Sequence, residues 1–270
     1  MITPDSFEHV LSNSEKQVSE KIKSYLQKPN EDNVHDLRTS IRRALATTSV
    51  LPKKIRKDKE SRKYLDELKK LLKLNASVRD TDIVLSKLPN HGDSPEFSKL
   101  SKKLNAEREA SLKKARRVAS SLKVEKGPTL DVRDISSSTL QKRFLKTTNE
   151  LTKKLREGLR LVKNEPKDID QLHKLREDSR RLRYTLEIDD HAKSSKLLPV
   201  VEMWQDILGK IRDADIFITS VSREKTSPTL KEVLDREQAS RKENYAKFLE
   251  IAKESPGLKY SLSKSDFGPD

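Results

Sequence analysis

Apolar residues recur along most of this chain at intervals of three or four positions, which is the spacing of one face of an α-helix. Prolines interrupt the pattern, and a proline starts or ends a helix because it lacks a backbone N–H donor. The pattern predicts eight helices, near residues 5–28, 31–50, 58–87, 95–123, 134–164, 168–189, 194–224 and 228–254. Pro199 lies inside the seventh segment, so that helix either starts there or is kinked.

The last four predicted helices repeat the first four after a shift of about 135 residues. The matching segments are VSEKIKSYL (18–26) with LTKKLREGL (151–159), VHDLRTSIRRALA (34–46) with LHKLREDSRRLRY (172–184), VRDTDI (78–83) with IRDADI (211–216), and, in part, REASLKK (108–114) with REQASRK (236–242). We therefore expect an all-α protein whose repeats, at about 5–125 and 132–254, are two tandem four-helix bundles. Gly127 and Pro128 mark the expected seam, and residues 255–270 a short tail.

Each repeat contains one histidine followed by basic residues at helical spacing. In the first copy His35, Arg38 and Arg42 share an arc beside an apolar stripe, while Asp36 and Ser40 are predicted to face away from both. The stripe comprises Leu37, Ile41, Ala44 and Thr48. In the second copy His173, Arg176, Arg180 and Arg183 lie in a similar arc, which also contains Tyr184. Both basic faces therefore border the predicted core.

Further cations fall in register with apolar faces of other predicted helices, where a lone charge is costly to bury. They are Lys21, Arg79, Arg108, Lys154 and Arg212. Asp82 and Asp215 follow Arg79 and Arg212 by three residues and could form local ion pairs. The cations outnumber these two acids, so the pattern favours a cavity that holds an anion over internal ion pairs alone.

Composition limits the class of protein. The chain has 270 residues, of which 33% are hydrophobic and 37% charged, and its formal net charge of +15 indicates a polyanionic partner. It has no cysteine, which fits a reducing compartment. The N-terminus lacks the pattern of a signal peptide and no apolar run has membrane-spanning length, so we expect a soluble cytoplasmic protein without a membrane partner.

The two histidine motifs, the segment RRLRYTLE at 180–187, QDILG at 205–209 and the twin RDxD segments together resemble the conserved histidine α-helical domain family, CHAD. The resemblance runs from about residue 5 to 254. It implies two helical bundles related by a pseudo-two-fold axis, with a basic channel or groove between them that binds inorganic polyphosphate.

The resemblance also implies a set of polyphosphate ligands. These are His35, Arg38, Arg42, Arg43, Arg79, His173, Arg176, Arg180, Arg181, Arg183 and Arg212, together with Lys21, Lys154, Arg108 and Arg236. Two departures stand in the first repeat: Leu45 replaces a further arginine, and Ala76 stands where the second repeat has Gly209. The first repeat is therefore expected to contribute fewer contacts.

Other functions remain open on the same residues. A metal site is disfavoured because arginines share the face of each histidine, although Asp80 with Asp82, or Asp213 with Asp215, could hold Mg²⁺. Each motif histidine could instead be a neutral core residue. No phosphate-cradling glycine loop and no nucleophile with a matched base occur, so we expect neither catalysis nor a cofactor.

Nucleic acid is the main rival partner, although aromatic residues for base stacking are few. A purely structural bundle with a charged surface is the third interpretation.

Overall fold

The computed structural model describes residues 2–91, 94–124, 132, 134–165, 168–193, 195, 197–224 and 227–253. Every regular element in these ranges is helical, which confirms the predicted all-α class. The expected seam at Gly127 and Pro128 and the expected tail at 255–270 lie outside the described residues.

The helices follow the predicted segments closely. They are α1 (Pro4–Gln27), α2 (Glu31–Val50), α3 (Lys53–Lys57), α4 (Lys59–Lys87), α5 (Pro95–Val124), α6 (Ser137–Asn164), α7 (Ile169–Leu186), α8 (Asp190–Lys193), α9 (Leu197–Val221) and α10 (Pro228–Lys253), with a 3-10 turn at Leu88–His91. Pro199 lies in the first turn of α9, where its missing N–H has no intrahelical partner to lose. Within the described ranges, none of these helices is long and apolar enough to cross a membrane.

Polar side chains fix where several helices begin. Thr3 forms a capping box with Ser6 at the start of α1, and Asn30 accepts a hydrogen bond from the third backbone N–H of α2. Asp58 caps α4 and Asp168 caps α7 in the same manner. These caps satisfy backbone donors that have no carbonyl partner in the first helical turn.

The chain divides into two compact units, and the division falls inside α6. The first unit comprises Ile2–Arg143, where α1 packs against α2 and α5, and α4 packs against the same two helices. Val18, Leu37 and Leu68 are fully buried in its core. The stripe predicted on α2 is buried as expected, so the basic face of that helix lies beside the core.

The second unit runs from Phe144 onward, with α9 packed against α7 and α10. Buried Trp204 meets Phe248 edge to face, with ring centroids 5.3 Å apart. Gly158 brings α6 close to α7, because a Cβ at that position would lie 3.0 Å from Leu175 Cδ1. This packing places the basic face of α7 beside α9.

Candidate functional site

The second unit brings together four predicted ligands on two adjacent helices. His173, Arg176 and Arg180 follow one another at helical spacing on α7, and Arg212 on α9 contributes its charge to the same group. Arg180 is 8% exposed, whereas the other three side chains are half-buried. Positive charge is therefore concentrated where access to water is restricted.

This crowding changes the protonation of His173. Burial lowers the pKa of His173 to about 4, and the charges of Arg212, Arg176 and Arg180 act in the same direction. Asp170 opposes them with a smaller effect. The imidazole is consequently neutral near pH 7 in the unliganded protein.

The arginines of α7 experience the same environment. Burial lowers the pKa of Arg176 to about 10, with Arg180 and Arg212 adding to the effect and Asp213 opposing it. Burial also lowers the pKa of Arg180. Both arginines stay charged near neutral pH, but each would be stabilised by a nearby anion.

Arg176 packs against the backbone of α9 at Gly209. A Cβ on Gly209 would lie 3.7 Å from both Nε and Nη2 of Arg176, which is an ordinary van der Waals distance. Alanine, which the first repeat has at the matching position 76, would therefore fit here as well. The missing glycine of the first repeat is not a steric obstacle to an equivalent arginine.

Two further predicted ligands on α7 have acidic neighbours. Arg183 Nε lies 2.9 Å from Glu187 Oε1 and 3.4 Å from Glu202 Oε1. Arg181 is exposed and lies 3.7 Å from Asp178. Arg181 and Arg183 border the group formed by His173, Arg176, Arg180 and Arg212. We call this group of four residues the second-unit cluster.

The corresponding motif of the first unit is arranged differently. Arg38 is 9% exposed and donates from Nη1 to the backbone oxygen of Leu72, at 2.8 Å. Arg42 and Arg43 are half-buried. His35 is exposed, so it is not a core histidine.

Two of the predicted inward-facing cations bind carboxylates of α2. Lys21 Nζ lies 2.7 Å from Asp36 Oδ2, and Arg79 Nη1 lies 2.5 Å from Glu31 Oε1. The side chain of Asp36 is 44% exposed, and Lys21 reaches it because α1 packs against α2. The prediction that Ser40 faces away is wrong, because Ser40 is buried, with its hydroxyl donating to the backbone oxygen of Leu37. Lys21 and Arg79 therefore form ion pairs within the chain, which was the alternative to an anion-binding cavity.

Asp82 and Asp215 also form ion pairs, but not with the arginines that precede them by three residues. Arg108 Nε lies 2.5 Å from Asp82 Oδ1, and Arg241 Nε binds Asp215 Oδ1 in the same way. Arg108 also donates from Nη2 to the backbone oxygen of Pro29, at 2.8 Å. Each of these two buried pairs, which we call clamps, joins the third long helix of its unit to the fourth.

The clamps correct the alignment of the repeats. The sequence pairs Arg108 with Arg236, whereas the structure gives Arg241 the equivalent position and leaves Arg236 exposed beside Glu232. The separation of 133 residues that relates Asp82 to Asp215 also relates Arg108 to Arg241. That constant shift was the signal that could have identified Arg241.

Lys154 is exposed, so its predicted inward orientation is wrong. It lies beside Leu151 and Leu155, which are both buried, and the edge of their stripe faces solvent at this lysine. No group of three histidine, aspartate or glutamate residues in the described ranges could hold a metal ion.

Two cavities occur in the first unit, away from its histidine motif. One, of about 710 Å³, is lined by residues of α3, the cap and first turn of α4, and the segment that leads into the first turn of α6, including Lys54, Asp58 and Thr139. The other, of about 690 Å³, lies near the start of α5 and includes Phe97 and Lys102. Neither is lined by a predicted ligand.

Comparisons with known proteins agree with this architecture. A family model described as the CHAD domain matches residues 9–215. The crystal structure of the CHAD domain from the plant Ricinus communis is similar over 97% of this chain and 93% of its own, with 16% identity and a TM-score of 0.61. PptA from Streptomyces chartreusis is similar over 94% of this chain and 100% of its own, with 15% identity and a TM-score of 0.62. A search of curated proteins finds no match.

Proposed function

Because the chain belongs to the CHAD domain family, we propose that it binds inorganic polyphosphate and catalyses no reaction on it. The observation that carries the proposal is the second-unit cluster, where three arginines and a histidine crowd together at restricted solvent access. Asp213 and Glu177 offset part of the repulsion within this cluster, and a bound anion would offset more, because like charges repel most strongly where water is excluded. Sites with perturbed protonation of this kind are frequently functional.

The chemistry of polyphosphate fits this arrangement of donors. Each internal phosphate carries about one negative charge, and an arginine guanidinium can donate to two of its oxygens at once. Arg176 and Arg180 are one helical turn apart on α7, so they present donors in a row. Consecutive phosphates of one chain can meet such a row, whereas a single phosphate would engage only part of it.

The acidic residues of the RDxD segments favour binding over metal-dependent catalysis. Asp82 and Asp215 are committed to their clamps with Arg108 and Arg241. A Mg²⁺ ion that recruited either carboxylate would leave a buried arginine without its partner.

Nucleic acid is the second candidate, and the net charge of +15 is the observation that favours it. A competition titration distinguishes the two. Long-chain polyphosphate, single-stranded and double-stranded oligonucleotides are compared at equal phosphate concentration in about 0.15 M salt. Polyphosphate is expected to bind most tightly and with a steep salt dependence, since neutralising phosphates releases counterions. Tighter binding of either oligonucleotide would favour nucleic acid instead.

A further inference from the structure

The two units differ in the acids that accompany their matched cations. In the first unit, Glu31 binds Arg79 and Asp36 binds Lys21. Both acids lie on α2, within the turns that carry His35. Two cations that the repeat pattern assigns to anion binding are therefore already in contact with carboxylates of the same chain.

The second unit has no carboxylate at these two matching positions, although Asp178 and Glu187 lie beside its Arg181 and Arg183. Aligning His35 with His173 places Ile169 opposite Glu31 and Lys174 opposite Asp36. The repeat thus replaces two negative charges by one apolar and one positive side chain. The acid positions changed although the histidine and arginine positions of the motif were retained.

The ion pairs of the first unit remain accessible to solvent. The side chains of Lys21 and Asp36 are 41% and 44% exposed, and those of Arg79 and Glu31 are 23% and 45% exposed. An external anion can therefore reach these cations, but it must displace a carboxylate to do so. Exposed pairs of this kind favour the paired state by only about 1.4- to 5-fold each, so displacement weakens anion binding without preventing it.

We propose that Glu31 and Asp36 compete with polyphosphate for Arg79 and Lys21, and so lower the affinity of the first unit for this ligand. This inference rests on the proposed function. It assigns these two acids a role in limiting polyanion binding, which the family resemblance does not.

The direct test removes both carboxylates without altering side-chain size. The double variant Glu31→Gln, Asp36→Asn is titrated with long-chain polyphosphate by calorimetry, and it is expected to bind about three- to tenfold more tightly than wild type.

The control is Asp66→Asn, Glu67→Gln, which removes one aspartate and one glutamate from exposed lysine pairs of α4 in the same unit. Both double variants change the net charge equally, so the control measures the effect of net charge alone. Since Asp66 and Glu67 pair with lysines that are not predicted ligands, the control is expected to bind less than about twofold more tightly than wild type.

The converse test adds the acid to the second unit. Ile169→Glu places a carboxylate at the position equivalent to Glu31, in the first turn of α7, where a negative charge favours the helix. It is expected to weaken binding about three- to fivefold.

The control is Met203→Glu on α9, at a side chain of similar exposure, 48% against 40% for Ile169. Position 203 lies on the opposite face of α9 from Arg212, since nine residues turn a helix by about 180°. This variant should change affinity less than about twofold.

The outcomes separate the two proposals. Equal tightening by both double variants would overturn the competition and leave polyphosphate binding in place. An Ile169→Glu variant that binds as wild type would also overturn it, and this arm does not depend on how the first unit tolerates loss of its ion pairs. Wild-type protein that binds no polyphosphate would overturn the proposed function, and this inference with it.

Discussion

Binding of polyphosphate is expected to draw a proton onto His173. In the unliganded protein burial and three neighbouring arginines hold the pKa of His173 at about 4, against an ordinary value of 6.5. A row of phosphates offsets the arginine charges and so raises this pKa toward its ordinary value, while the effect of burial, the largest cause of the lowering, remains. The bound state then carries more protons than the free state between about pH 4 and 7, so affinity must rise as the pH falls through that interval.

The size of the effect follows from the two pKa values of His173. A full rise from about 4 to 6.5 sets the upper limit, about 30-fold tighter binding at pH 5 than at pH 8 by proton linkage. His173 is half-buried and solvent screens part of the interaction, so about tenfold is the expected change. With a tenfold change, complex formation at pH 6.5 should take up about a quarter of a proton.

Calorimetry in buffers of different ionisation enthalpy measures this uptake directly. His173→Gln should abolish it, whereas His9→Gln, on an exposed part of α1, should retain it. Long chains keep the titrating terminal phosphates a negligible fraction of the ligand. Uptake that is absent in wild type, or equal in wild type and His173→Gln, would refute the assignment of His173 as a ligand surrounded by phosphate.

Three other predictions concern single side chains. Arg176→Ala should weaken polyphosphate binding by about 1 to 3 kcal/mol in calorimetric titrations, against a few tenths for exposed Lys174→Ala; equal losses would indicate a diffuse basic surface. Burial raises the pKa of Glu15 to about 7, so its stabilising contribution is present below about pH 4.5 and is lost as pH rises through 7. Denaturant unfolding should therefore show Glu15→Gln more stable than wild type by about 1 to 2 kcal/mol at pH 8 and unchanged at pH 4. Arg241→Met should lower the free energy of unfolding by about 3 kcal/mol because it leaves Asp215 buried and unpaired, while Arg236→Met should change it by less than about 0.5; similar melts for both would contradict the clamp.

The helices of this protein were predictable because local signals define them. Apolar spacing and prolines located the long helices to within a few residues. Because α9 starts at Leu197, Pro199 lies in its first turn, where a proline is tolerated. The helix α3 was missed because KKIRK is too short and too charged to show an apolar period. A helix of five residues contains too few turns for an apolar period to be recognised.

The site was predictable only in part, since periodicity gives the angle of a side chain on its own helix but not which neighbouring helix it meets. It placed His173, Arg176 and Arg180 on one face, and the structure adds the charge of Arg212 to them. It gave no means of pairing Arg79 with Glu31, which lies 48 residues away in the chain. Such contacts depend on helix packing, and they decide which cations are already neutralised.

The clamps have a consequence for how this molecule can change. Arg108 with Asp82 and Arg241 with Asp215 hold their helices in the same way in both units, while the position of Glu31 has become Ile169. The residues that hold the helices together are therefore different from those that set the charge of the ligand-facing surface. One copy of a duplicated module can then change the charge of its ligand-facing surface while its scaffold persists. The first unit is accordingly a surface that selection or engineering can retune toward another ligand without rebuilding the bundle.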